Sequence, residues 1–152
     1  MFAASTDPRH EHAALYQRVQ DSLQRQGMMV HLGARLVRVG PGLCEVALPY
    51  SERVTQQQGG FHGGAIGALA DIVGGYAALT VLPEGMEVTT VEYKINFLSA
   101  RQGGTLHAVG RVVRGGKRII VTTAEVVHVD ADGKRSDSAV MQQTLVPVPK
   151  TY

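Results

Sequence analysis

The sequence predicts an α+β domain: one long apolar helix wrapped by a curved antiparallel sheet, with an amphipathic helix ahead of it. Three observations lead there. From Gly63 to Leu82 the sole formal charge is Asp71, set among Ala, Gly, Ile, Leu and Val. The segments that follow Gly85 alternate apolar and polar residues with a period of two, as half-buried strands do. The chain has 152 residues, enough for one core and too few for two ordinary ones. A helix apolar on all sides must be covered all round, while each strand needs one apolar face only. A sheet curled about the helix meets both demands.

Taken in order, residues 1–9 form a polar leader expected to be flexible, and residues 10–152 a single domain. Between His10 and Arg25, Leu15, Val19 and Leu23 recur at four-residue spacing with Tyr16 beside them, the pattern of an amphipathic helix. In "MVHLGARL", Val30, Leu32, Ala34 and Leu36 alternate with polar or small residues, which predicts a strand. "VGPGL" supplies a turn and "CEVALPY" the returning strand of a hairpin. Arg53 to Gly60 is polar loop, and the apolar helix follows. Four strands close the chain: "TTVEYKINFL", "GTLHAVGRVVR", "RIIVTTAEVVHV" and "DSAVMQQTLVPV", with "GGK" and "DADGK" as turns.

Composition narrows the function. Hydrophobic residues at 44% against 18% charged exclude a disordered chain. Fifteen basic residues against thirteen acidic ones are scattered, and no basic stripe is interleaved with rings, which argues against a nucleic-acid partner. The apolar run is long enough to cross a bilayer, but five glycines and a central Asp weigh against a membrane span. Cys44 is alone, so no intramolecular disulfide forms, and the first residues lack a secretory pattern. A cytoplasmic protein is expected. "DADG" at 130–133 begins like a calcium loop, yet Met141 stands where a Glu is needed. The histidines show no zinc spacing, so neither metal nor cofactor is expected.

Asp71 is the candidate for chemistry. A buried carboxylate is costly unless paired or hydrogen-bonded, and no basic residue lies on its own helix. Either it satisfies a loop or amide elsewhere, or it sits at a subunit seam as nucleophile or general base. His62-Gly63-Gly64 stands where loop becomes helix. The first helical amides lack internal acceptors and carry the positive dipole end, so they suit an oxygen gaining negative charge. Gly63 and Gly64 also leave room for close approach, although a tight turn alone would favour the same residues.

Gln56, HGG six residues later, an acid nine residues past His62 and then "TTVEYKINFLSA" form a more specific set. From Val30 to Val146 the sequence resembles the hotdog-fold acyl-CoA thioesterases of the PaaI-like, phenylacetic-acid-pathway type. That resemblance implies a homodimer or a tetramer of two dimers, with sites between subunits. It implies that the Gly63 N–H polarises the thioester carbonyl and that Asp71 attacks it or activates water. It implies that Gln56 places the water or thioester, His62 braces the loop, and Thr90 comes from the neighbouring subunit to orient the water. Strict alternation puts Thr89, not Thr90, on the face of Val91 and Tyr93, so the hydroxyl in question is open unless a bulge intervenes. Phe61 narrows an acyl channel or belongs to the core. Arg114, Lys117 and Arg118 in "RGGKR" are candidates for the coenzyme A phosphates or plain turn charges. A non-catalytic acyl-CoA sensor or store is the alternative function.

Overall fold

The structure, a computed structural model, describes residues 12–152, so the leader and the expected helix start at His10 lie outside the described residues. Helix α1 (Ala13–Gln24) is amphipathic as expected and buries Val19 and Leu23. The expected strand over Met29–Leu36 is corrected. Gly27–Leu32 is a second helix, α2, and strand β1 (Arg35–Gly40) starts only after it. Gly33 is the reason: at φ 84° it ends α2 in the left-handed conformation, and its N–H reaches back to Met29 and Val30. Met29 is buried and Val30 is 58% exposed, the reverse of the alternation the sequence suggested.

From there the expected order holds. Strand β2 (Leu43–Pro49) returns from β1 through Pro41-Gly42. Helix α3 (Gly63–Leu79) runs for 17 residues. Thr80 ends it: its Oγ1 donates to the Ala77 carbonyl at 2.7 Å and accepts from the Gly42 N–H at 2.8 Å. Strands β3 (Met86–Phe97), β4 (Thr105–Arg114), β5 (Ile120–Val129) and β6 (Arg135–Pro149) complete one antiparallel sheet in the order β1-β2-β4-β5-β6-β3. The sheet curves about α3, whose Ile66, Leu69, Ala70, Val73 and Ala77 meet Val46, Leu48, Leu106 and Ala108 in the core. This is the hotdog arrangement. The "DADG" turn closes on itself, with Asp130 Oδ1 accepting the Asp132 and Lys134 N–H groups at 2.9 Å each. Among the described residues, no helix is long and apolar enough to cross a membrane.

Two features of this packing position the site. The helix is not covered all round as expected: a stripe of Gly64, Ala68, Asp71, Ile72 and Gly75 stays partly open. The open side adjoins β3, the last strand of the sheet, which exposes Val91, Tyr93 and Phe97. Elsewhere helix and sheet touch through glycine: a Cβ on Gly110 of β4 would run into the Val73 carbonyl of α3.

Cys44 is fully buried on β2, and burial, then the charge of Glu45, pushes its thiol well up. Ellman's reagent is therefore expected to find no thiol in the native protein and one per chain after denaturation. A reactive native thiol would contradict this packing. The prediction also means that thiol-release assays read the product alone.

Candidate active site

Asp71 stands two turns into α3, on the open stripe, half-buried. Its Oδ1 accepts two hydrogen bonds, from Thr90 Oγ1 at 2.8 Å and from Gln143 Nε2 at 2.5 Å. Gln143 is fully buried on β6; its Oε1 accepts from Thr122 Oγ1 of β5 at 2.8 Å, and its Nε2 also donates to Thr90 Oγ1 at 3.2 Å. Turning that amide over would set two acceptors against each other at Asp71, so the network fixes its orientation. Three strands and one helix thus hold a single carboxylate oxygen. Oδ2 has no hydrogen-bond partner among the described residues.

A bulge settles which threonine faces Asp71. The β3–β6 register slips between Thr90 and Glu92, so Val91 is the extra residue. Before it, Val88 and Thr90 face the helix; after it, Tyr93 and Phe97 do, with Tyr93 Oη beside Gly67 and the Phe97 ring beside Gly63. A bulge moves the inward parity by one. Thr89 is left exposed. Thr90 belongs to the same chain as the Asp71 it contacts, so the two form one half of any site shared with another copy.

The HGG turn builds the other element. His62 caps α3: its Nδ1 accepts the Gly64 N–H at 2.7 Å, and its carbonyl accepts from Ala65 and Ile66 at 3.0 and 3.1 Å. Nδ1 can accept only if the ring proton sits on Nε2. A Cβ on Gly64 would come within 2.9 Å of His62 Nδ1, so glycine there keeps the cap. The cap takes up the Gly64 N–H, which is thereby not free for a substrate as expected. The Gly63 N–H has no acceptor among the described residues. Gln56 lies in the loop just before, its N–H bonded to the Gly60 carbonyl at 3.0 Å and its side-chain Oε1 accepting from the Gln58 N–H.

Other candidates fall elsewhere. Phe61 is 3% exposed and packs edge-on against Tyr50 and His128, at ring centroid distances of 5.3 and 6.2 Å. It is a core residue, the second of the two placements its sequence position left open, and it does not line the Asp71 cleft. Arg114, Lys117 and Arg118 are exposed on the β4–β5 connection and do not line the Asp71 cleft. Gln143 and Thr122 escaped the sequence reading. Their signal was a polar residue on the inward parity, Gln143 between Met141 and Leu145.

Asp71 and Thr90 sit at one end of a cleft of about 450 Å³ between α1, α3 and the start of β3. Ile72, Gly75, Leu79 and Val88 line its walls, and Ser22, Gln26 and Tyr76 line it further along α3. Burial raises the Tyr76 hydroxyl above its ordinary range, opposed by its bonds to Ser22 and Gln26. A carboxylate with one free oxygen at the mouth of a partly apolar cleft is suited to deprotonating water or attacking a carbonyl.

The comparisons with known proteins agree with this geometry. The Thioesterase superfamily sequence profile matches residues 58–133, half of the chain and the part holding Gly63, Asp71 and Thr90. A protein of Saccharolobus solfataricus named as an esterase is 39% identical over 72% of this chain and 76% of its own length. The crystal structure of a thioesterase family protein from Silicibacter pomeroyi superposes with a TM-score of 0.85 at 36% identity, covering 90% of this chain and 99% of that one. PaaI from the E. coli phenylacetic acid degradation operon shares the fold, with a TM-score of 0.80 at 21% identity over 91% of this chain and 96% of its own. The chain belongs to the thioesterase superfamily, and it is a hydrolase of thioester bonds.

Proposed function

We propose that the protein is an acyl-CoA thioesterase whose sites each join two copies of the chain. The observation that carries this is Asp71, held on one oxygen by Thr90 and Gln143 and open on the other toward a cleft. In the proposed reaction Oδ2 takes a proton from water, or attacks the carbonyl itself. The carbonyl oxygen gains charge against the Gly63 N–H, and collapse of the adduct expels the coenzyme A thiolate. The exposed Arg114, Lys117 and Arg118 are the candidates for its phosphates.

One copy is not enough. Gly63 and Asp71 are eight residues apart on one helix, about 12 Å along its axis, whereas both must lie within about 3 Å of one thioester. Two α3 helices related by a two-fold axis would set each HGG turn, with Gln56 and His62, beside the other copy's Asp71. The unpaired edge of β3 supports that arrangement. It spans 12 residues and exposes Val91, Tyr93 and Phe97, at 60%, 43% and 53%, a combination that proteins rarely leave uncovered.

Complementation tests both claims. Gly63→Pro deletes the N–H at the first helical position, where proline is tolerated, and His62 at ψ 134° already suits a following proline. Gly63→Pro and Asp71→Asn should each suppress thiol release from acyl-CoAs, the former by about 100- to 1000-fold. Refolded together in equal amounts, they should recover about a quarter of wild-type activity, since half of the dimers are mixed and each holds one intact site. No recovery in mixed dimers would show that sites are not shared. Wild type that binds acyl-CoA without releasing thiol would refute the enzyme.

A further inference from the structure

The turn between β4 and β5 stands clear of the sheet that carries it. Strand β2 pairs with β4 only as far as Arg111, and β6 meets β5 only from Ile120. Beyond one bond from the Val112 N–H to the Gly42 carbonyl at 2.9 Å, residues 113–119 have no strand on either flank. A bulge shapes this projecting hairpin. The β4–β5 register slips between Val112 and Arg114, so Val113 is the extra residue, and it is 63% exposed. Ile119, just before β5, is 53% exposed. Val81 lies under the turn, 44% exposed, its Cγ2 3.9 Å from where a Cβ on Gly115 would stand.

Cations stand among these aliphatic side chains. Arg111, Arg114, Lys117 and Arg118 are all exposed, and residues 111–124 contain no acid. None of the four forms an ion pair among the described residues, and the acid of β2, Glu45, is already matched by Arg38 and His107 at 3.4 and 3.5 Å. Such a tip has two kinds of surface to satisfy at once. Coenzyme A phosphates match the cations but leave Val113 and Ile119 in water. A protein partner needs about 800 Å² on each side, more than a projecting turn of a few residues offers. An anionic lipid surface matches both features: its headgroups meet the cations, and the aliphatic side chains pass into the acyl boundary beneath.

We infer that the β4–β5 hairpin is a docking surface for anionic lipid bilayers, with Val113 and Ile119 entering the interface and the four cations resting on the headgroups. Each cation near such a surface multiplies partitioning by about fivefold. Burying an aliphatic side chain adds about tenfold. Both contributions are needed, since one weak anchor holds a protein only marginally.

Cosedimentation with vesicles tests this, using phosphatidylcholine alone or with about 30% phosphatidylglycerol, at about 0.05 M and 0.5 M salt. At low salt wild type should partition onto the anionic vesicles about 100-fold more strongly than onto the neutral ones, and high salt should remove most of that advantage. Val113→Ser combined with Ile119→Ser should weaken anionic binding by about tenfold or more, with melting temperature and short-chain acyl-CoA turnover as in wild type. Arg114→Glu combined with Lys117→Glu should abolish it. Light scattering gives the oligomeric state of each variant. Absence of binding to anionic vesicles overturns the inference, and so does equal binding to both kinds. Binding that the serine pair leaves unchanged overturns it too, since the cations alone would then account for it. A serine pair that breaks up a wild-type oligomer assigns the hairpin to contact between copies, against the inference. Charge reversal that raises KM for acyl-CoA, in a protein that ignores vesicles, gives the cations to the coenzyme instead. Vesicle binding is read without turnover, so a protein inactive on thioesters yet bound through Val113 and Ile119 would refute the enzyme and keep the docking surface.

Discussion

Asp71→Asn is expected to lower thioester turnover by about 100- to 10,000-fold while leaving the fold intact. The choice of Asn follows from the network. Thr90 and Gln143 both donate to Asp71 Oδ1, and an Asn side-chain oxygen accepts the same two bonds, with its amide turned to the cleft. What it loses is the ability to take a proton or to attack. Asp71→Ala removes the one oxygen that accepts both bonds. Gln143 is fully buried, so its Nε2 would then lose its shorter bond and keep only the longer one to Thr90, leaving one amide proton unpaired at a cost of about 1–3 kcal/mol. The two variants should therefore be alike in activity and unlike in melting temperature, with Asn near wild type and Ala below it. Steady-state thiol release and calorimetry read the two quantities. An Asp71→Asn protein that keeps more than about a tenth of wild-type turnover would remove Asp71 from the chemistry.

The lone carboxylate in an apolar helix is resolved by where the sheet stops. Its helix looks uniformly buried in sequence because the open stripe is itself small and apolar, namely Gly64, Ala68, Ile72 and Gly75. Composition therefore identifies α3 but cannot show which side the sheet leaves uncovered. Strand alternation was legible where the register stays unbroken, as over Thr105–Arg111 of β4 against β2 and Ile120–Val126 of β5 against β6. It failed at Met29–Leu36, where Gly33 ends a helix in a run whose Val30, Leu32 and Ala34 mimic a strand. It was ambiguous at Thr89 and Thr90, because a bulge at Val91 shifts parity without any mark in the residue types. Phe61 and Gln143 make the complementary point. Their neighbours in sequence, His62 and Gln142, say little about whether each points to core or cleft. That depends on strands distant in sequence.

Gly110→Ala is expected to be the most damaging single-methyl change away from Asp71. Gly110 pairs with Cys44 on one side and Ala124 on the other, in the middle of the sheet, directly beneath α3. A Cβ there meets the Val73 carbonyl and comes within 2.7 Å of the Gly74 nitrogen. Both are backbone atoms, so no rotamer relieves the clash and the helix must lift from the sheet. Lifting opens contacts around Val73 and Ala77, both fully buried, so the cost should exceed the usual range for overpacking, at about 3 kcal/mol or more. For a chain of this size that is about a 10 °C fall in melting temperature. Gly74→Ala provides the contrast. Its Cβ meets Gln143 Oε1 and lies 2.7 Å from Thr122 Oγ1, both side-chain atoms, which can turn about their own bonds where backbone cannot. Yet Gln143 is the amide that holds Asp71, so its displacement moves the carboxylate. Gly74→Ala should accordingly lose more in kcat than in stability, and Gly110→Ala the reverse. Should both variants melt and turn over alike, helix seating and carboxylate positioning would not be separable functions of this contact, and the glycines would simply be filling space.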